Sequence, residues 1–347
     1  MSKILSVVIP AYNCEKTLEK AVNSVLEQPC AEDIEIILVD DGAKDSTPQL
    51  CDNLAEKYSN NIKVFHRKNS GAALSRNFGI DHATGKYIAF LDSDDWWNKD
   101  IIDNSLCETL KKEDIDIFAF PINYVSYNYK HQKVKKPPAN PKEIIGFGKQ
   151  IYPNIMHPTA LYKTSLLNNN KIRYPNISVM EDGVFVVMAF SIASTYKFID
   201  KVFYNYQLNL NSFFHNADDT DIFYAVIQGS HCINQWGEEN GNDVRISDRG
   251  MLSDIVKFLP RYCATHSYDE TVKFFSDPIF NVMNDPKVKP WSAFQKSYDL
   301  WNKDKKKFWR NAKLKMYIPC KLKESRTKPP FIKLKNYVWY RIIKKIY

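Results

Sequence analysis

A chain of 347 residues is longer than one compact core of usual size, which points to two domains or to one domain with a large appendage. With 44% hydrophobic and 25% charged residues it is globular rather than disordered, and no run of about 18 apolar residues is present to make a transmembrane helix. The formal charge of +8 averages two unlike parts: residues 301–347 hold 16 Lys/Arg against 2 Asp/Glu, and the remainder carries a net −6.

The chain opens on Ile4-Leu5-Ser6-Val7-Val8-Ile9, a nearly continuous apolar run stopped by Pro10, as expected of a strand covered on both faces. The run is too short for the h-region of a signal peptide and reads as a strand instead. After the loop Ala11-Tyr12-Asn13-Cys14, residues 15–27 space Leu18, Ala21, Val22, Val25 and Leu26 at helical intervals. Residues 35–39 form a second apolar run, ending in Asp40-Asp41-Gly42. Asp45-Ser46-Thr47-Pro48 starts a helix, with proline in its first turn, that should run to about Tyr58. Residues 62–65 read as a third strand, 72–82 as a helix and 87–91 as a fourth strand. Strands alternating with helices mean βαβ units and a mostly parallel sheet.

The fourth strand runs into Asp92-Ser93-Asp94-Asp95-Trp96-Trp97. Ligands bind outside the carboxyl ends of the strands of such sheets, and the loops after the first, second and fourth strands lie at that one edge. Tyr12, Asp40, Asp41, Asp92 and Asp94 should therefore face one crevice. Carboxylates spaced Asp-x-Asp on a turn can share a hard cation with substrate phosphate oxygens; the plainer alternative is a polar loop with an aspartate capping a helix from about Asn98. Further on, 115–121 is a strand candidate. Residues 123–150, mixing Tyr124, Tyr127 and Tyr129 with lysines and Pro137-Pro138, read as a surface loop. Residues 157–167 return to ordered structure, 184–193 read as a buried helix behind Glu181-Asp182-Gly183, and 202–208 as a last strand. From about 218 the pattern is helical, with breaks at Pro260 and Pro319. The cysteines at 14, 30, 51, 107, 232, 263 and 320 are odd in number and form no Cys-x-x-Cys pair, which argues for a reducing cytoplasm and against a zinc site.

Taken in order, Ile9-Pro10-Ala11-Tyr12-Asn13, Val39-Asp40-Asp41-Gly42, Asn69-Ser70-Gly71 with Arg76-Asn77, Asp92-Ser93-Asp94-Asp95 and Glu181-Asp182-x-x-Phe185 resemble the inverting family 2 glycosyltransferases. The resemblance covers about residues 1–215 and stops there. It implies a GT-A fold, a Rossmann-like, mostly parallel sheet with helices on both faces; the helical, basic C-terminal region that follows is read from the residues alone. The implied division is a catalytic domain over 1–217 and a C-terminal region over 218–347. Within the first, 1–100 is the nucleotide-binding half and 101–217 the acceptor and base half. For the site it implies a UDP-sugar held by Pro10, Tyr12, Asp41, Arg76, Asp92 and Ser93. Tyr12 would face uracil, Asp41 would accept from its N3–H, and Arg76 would reach phosphate or Asp41. Asp94 would bind Mn²⁺ or Mg²⁺ across the diphosphate, with His215 as a second metal candidate, and Asp95 would cap a helix. Asp182 would be the base that takes the acceptor's proton, unless it serves only to cap the 184–193 helix. Residues 156–160 depart from the family pattern, which leaves the acceptor and donor-sugar contacts open.

The tail at 301–347 mixes Lys and Arg with Trp, Tyr and Ile, which suits a helix on an anionic membrane surface. Packing on the catalytic domain, or a homo-oligomer contact, is the alternative; nucleic acid is not expected, since no recognition fold accompanies the charge. The expectation is a peripheral enzyme on the inner face of the plasma membrane, moving a hexose or N-acetylhexosamine to a glycan on a polyprenyl diphosphate in surface-polysaccharide synthesis. Two other classes compete. A sugar-nucleotide nucleotidyltransferase wants a glycine-rich basic loop after the first strand, which Pro10-Ala11-Tyr12-Asn13-Cys14 is not. An inactive carbohydrate- or membrane-binding scaffold would be expected to have lost one of the acids.

Overall fold

The computed structural model describes residues 3–126, 132–136, 157–177, 181–208, 228–229, 231–233, 235–241, 262–263, 266–276 and 299–312. The chain divides into two compact units, residues 1–252 with 281–290, and residues 253–280 with 291–347.

In the first unit, β1 (Leu5–Ala11), β2 (Ile34–Asp40), β3 (Ile62–His66) and β4 (Tyr87–Phe90) alternate with α1 (Leu18–Leu26), α2 (Thr47–Lys57) and α3 (Ala72–His82). There follow β5 (Trp96–Trp97), α4 (Asn104–Lys112), β6 (Ile117–Ala119), β7 (Ile122–Val125), β8 (Gln132–Lys135), β9 (Ala160–Lys163), α5 (Thr164–Asn169), α6 (Glu181–Ile192), β10 (Tyr196–Phe198) and β11 (Tyr204–Gln207). Among the described residues the main sheet has the order β10-β6-β9-β4-β1-β2-β3. All neighbours in it are parallel except β9, which runs against both β4 and β6. The mostly parallel α/β architecture is therefore as the sequence implies. A smaller sheet, β5-β11-β7-β8, stands beside it.

The continuous apolar runs are the central strands: every residue of β2 and β4 is buried, as is all of β1 except half-buried Pro10. Pro10 does not end β1. It pairs with Val39 of β2, past Val8–Phe90, the last pair that β1 makes with β4. A residue without an N–H is tolerated where one neighbouring ladder has already stopped. α1 buries Leu18, Ala21, Val22 and Val25, one face at helical spacing. α3 crosses β1 so closely that a Cβ on Gly79 would lie 2.2 Å from Val8 Cγ1. α6 is apolar all round, and Gly183 to Phe190 are all buried.

Two expectations change. Residues 123–150 are not simply a surface loop: β7 and β8 pair antiparallel, Ile122 with Lys135 through Val125 with Gln132. No helix begins near Asn98 either. The next helix is α4, capped by Asp103, whose side chain accepts from the Leu106 N–H.

In the second unit α7 (Tyr268–Phe274) carries a capping box between Ser267 and Glu270, and Trp301 is buried against Phe275. Among the described residues no helix is long and apolar enough to cross a membrane. His215 and residues 313–347 of the basic tail lie outside the described residues.

Candidate active site

Because β1, β2 and β4 are parallel neighbours, the segments that follow them emerge at one edge of the sheet. After β1, Tyr12 is 44% exposed, an aromatic face left open at that edge. The adjacent Asn13 takes a left-handed φ of 49° and its side chain accepts from the Lys44 N–H, tying this loop to the one after β2. The Asp41 N–H in turn donates to the Ala11 carbonyl at 2.9 Å.

Asp40 and Asp41 are both buried but point to different work. Asp40 accepts from the Ala43 N–H and sits 2.8 Å from His66 Nδ1. Its bond to His66, followed by that of Asp52, raises the His66 pKa. Asp41 turns the other way. Its Oδ1 takes the Ser70 N–H and hydroxyl at 2.9 and 3.1 Å, and its Oδ2 takes the Gly71 N–H at 2.8 Å. Gly71 makes that possible with a φ of 93°, a conformation glycine adopts without a Cβ penalty. A carboxylate has about four acceptor positions, so Asp41 keeps room on Oδ2 for one further donor.

Arg76, on α3, is buried and does not go to Asp41. Its guanidinium donates to Asp92 Oδ1 at 2.7 Å and to Glu181 Oε1 at 3.1 Å, over the Tyr174 ring at 5.3 Å. The next residue, Asn77, clamps the Tyr174 backbone through both its N–H and its carbonyl, at 2.8 Å each. Tyr174 stacks flat on Phe185 of α6 with ring centroids 4.1 Å apart. Arg76 thus joins the acid turn after β4 to the first turn of α6. Burial alone would raise the Asp92 carboxyl, but the Arg76 charge outweighs it and holds the group below the usual carboxylate range.

The α6 helix begins at Glu181, earlier than its apolar run suggests, so Asp182 lies inside the first turn and accepts from the Gly183 N–H at 2.8 Å. Burial and then the neighbouring Glu181 charge push its pKa up to about 6. That suits a group that must be ionised near neutral pH and still take a proton.

On the acid turn, Ser93 lies against the Cys14 thiol of the loop after β1, and Ser93 and Asp94 are both half-buried. Asp95 is buried and caps no helix: it accepts from the Tyr204 hydroxyl at 2.6 Å and the Gln207 N–H at 2.7 Å. Burial, then the charges of Asp92 and Asp94, raise it well above its ordinary value. Three carboxylates are thus crowded on one turn, with the Arg76 guanidinium on Asp92 and the charge of Lys20 acting on Asp95. Among the described residues no group of three or more His, Cys, Asp or Glu is arranged to hold a metal. A cation here would rest on Asp94 and on oxygens that a ligand brings, which is how Mg²⁺ is often bound.

Sequence reasoning missed two members of this cluster. Glu181 was adjacent to the expected base but had no assigned partner. His157 is buried with its Nε2 3.9 Å from Asp92 Oδ2, and among the described residues its Nδ1 has no hydrogen-bond partner. Burial, then the Arg76 charge, drive its pKa down to about 3, so it is neutral. The sequence marks it only through the departure from the family pattern at 156–160, without a role.

Residues 6–170 match Glycosyl transferase family 2. Over 125 residues the chain is 38% identical to the minor teichoic acid biosynthesis protein GgaA of Bacillus subtilis, covering 35% of this chain and 28% of that one. Over 208 residues it is 31% identical to GgaB of the same organism, covering 58% of this chain and 23% of that one. It thus spans less than a third of the length of these curated relatives. The crystal structure of S. aureus TarS 1-349 in complex with UDP-GlcNAc superimposes with a TM-score of 0.52 at 20% identity, over 86% of this chain and 92% of that one. That likeness is one of fold, the GT-A fold.

Proposed function

We propose that this chain, whose residues 6–170 belong to glycosyl transferase family 2, is a metal-dependent inverting glycosyltransferase. It moves a hexose or N-acetylhexosamine from a UDP-sugar to a hydroxyl of a surface-polysaccharide glycan carried on a polyprenyl diphosphate. The observation that carries the reading is Arg76, whose ion pairs to Asp92 and to Glu181 join the acid turn to the first turn of α6, where Asp182 stands. Tyr12 offers its exposed ring to the base, and Asp41 its remaining acceptor position to the uracil N3–H. Asp92, held ionised by Arg76, faces the ribose. Asp94 would hold Mn²⁺ or Mg²⁺, which when bound neutralises charge on the departing diphosphate. Asp182 takes the proton of the acceptor hydroxyl as that oxygen attacks the anomeric carbon from the face opposite the diphosphate. The UDP donor is favoured by the relatives named above, one of which was crystallised with UDP-GlcNAc. The acceptor class is favoured by their part in teichoic acid biosynthesis. The basic, aromatic residues 301–347 would hold the enzyme on the anionic inner face of the membrane.

The test is UDP release from a panel of UDP-sugars with and without EDTA, using wild type and Asp94→Asn. The expected result is release from one donor, lost in EDTA and lost in the variant. Release unaffected by EDTA would remove the metal, and no release from any UDP-sugar would remove the donor class.

A further inference from the structure

The acid turn is held in place by a phenol. Tyr204 of β11 is fully buried. Its hydroxyl donates to Asp95 Oδ2 at 2.6 Å and accepts the backbone N–H of Asp92 at 3.1 Å. The Asp95 N–H closes the same turn onto the Asp92 carbonyl at 3.1 Å. The other Asp95 oxygen takes the Gln207 N–H at 2.7 Å, at the far end of β11. One phenol and one carboxylate therefore pin both ends of the turn that carries Asp92, Ser93 and Asp94, and pin it to a strand of the second sheet.

Strand pairing does not require this arrangement. β5 and β11 already pair through their backbones, Tyr204 with Trp97 and Asn205 with Trp96. The side chain of Asn205 adds bonds to the Trp96 carbonyl and to Asn98. For holding two strands together, a buried apolar pair would cost less than a buried carboxylate and phenol, which must both be hydrogen-bonded to be tolerated. What the polar pair adds is direction: it fixes the backbone at Asp92 and Asp95, and with it where Ser93 and Asp94 point.

We propose that Tyr204 and Asp95 are positioning residues that brace the Asp92–Asp95 turn so that Asp94 meets a cation and the donor diphosphate together, without touching either themselves. This rests on the glycosyltransferase reading above. Misplacement of a ligand by about 1 Å is enough to lose much of a site's function, and removing the phenol oxygen takes a hydrogen bond from each end of the turn at once.

The experiment measures binding of UDP by calorimetry in Mn²⁺ and in EDTA, for the full chain, Tyr204→Phe, Asp95→Asn and the double variant. Tyr204→Phe should weaken UDP binding in Mn²⁺ by about 10-fold or more, the scale of losing a hydrogen bond to a charged group. In EDTA it should change affinity by less than about 2-fold, because Tyr12 and Asp41 are untouched. Asp95→Asn keeps the side chain's shape and serves if the phenylalanine variant does not fold. The double variant should bind no worse than the weaker single one, since both remove the same brace. Equal loss in Mn²⁺ and in EDTA would show general loosening and overturn the proposal. So would Mn²⁺-dependent binding that matches wild type in both single variants. If wild type itself binds no UDP in either condition, the UDP-donor reading falls and the brace with it. If wild type binds UDP only with Mn²⁺ and the variants bind it there with wild-type affinity, the brace alone falls.

Discussion

Replacing Asp182 by asparagine separates two roles that its position allows. As a base on the first turn of α6, Asp182 carries a pKa raised to about 6 by burial and then by Glu181. A group with that value is about nine-tenths ionised at pH 7 and about one-tenth at pH 5, so kcat/KM should fall about tenfold between them. Asp182→Asn should lower kcat by about 10²–10⁴-fold, the range for losing a general base, and abolish the acid limb. Glu181→Gln removes the like charge that raises Asp182, so its acid limb should move to lower pH. Stability provides an independent reading. An acid raised from 3.8 to about 6 on folding adds stability that is complete below about pH 4 and lost as pH rises through 6. About two units at roughly 1.4 kcal/mol each is at most ~3 kcal/mol, and less because solvent reaches the half-buried side chain. Asp182→Asn should therefore melt above wild type at pH 7.5 and alongside it near pH 4. A residue present only to start the helix would give a variant that melts no higher and turns over normally. A wild-type rate flat from pH 5 to 7, or a variant that melts lower at neutral pH, would refute the argument.

Arg76→Met should lose transfer and lower the melting temperature. Breaking a buried ion pair costs about 3–5 kcal/mol, and the lower end applies because Asp92 and Glu181 keep 28% and 21% of their side-chain surface exposed. Gly79→Ala forces a methyl to within 2.2 Å of Val8 Cγ1 and should cost about 1–3 kcal/mol by overpacking. Thermal melts of Gly79→Ala with and without Val8→Ala check it, the second change restoring part of the loss.

The alternation of strands and helices through β4 was legible because β1, β2 and β4 are buried on both faces, which leaves unbroken apolar runs. β7 and β8 were not, because β8 is an edge strand whose Gln132, Lys133 and Val134 are exposed and carry no apolar alternation. The same limit shaped the site. Tyr12, Asp40, Asp41, Asp92 and Asp94 could be singled out because each follows a readable strand, whereas Asp182, and Asp41 over Asp40, came from the family resemblance. Their partners could not. Arg76 meets Glu181 across 105 positions, and Asp95 meets Tyr204 and Gln207 across 109 and 112. Contacts of that separation leave no local pattern, so Asp95 reads as a helix cap and Arg76 as a partner of phosphate or of Asp41 until the fold shows their protein neighbours.

One arginine gives the carboxylates of this cluster different characters. Arg76 bonds to Asp92 and Glu181 but not to Asp182, which feels its charge only through space. Asp92 is accordingly held below the usual range while Asp182 rises to about 6. His157 could have blurred that contrast by adding a second positive charge beside Asp92. Burial and the Arg76 charge keep it neutral. On the proposed reaction the two ends need opposite properties: the donor end must stay ionised to face a ribose and a cation, and the acceptor end must be willing to take a proton. Environments that drive like groups apart mark acid and base assignments. Here the divergence follows from which carboxylates a single buried guanidinium can reach, so moving or removing Arg76 should disturb both ends at once rather than either alone.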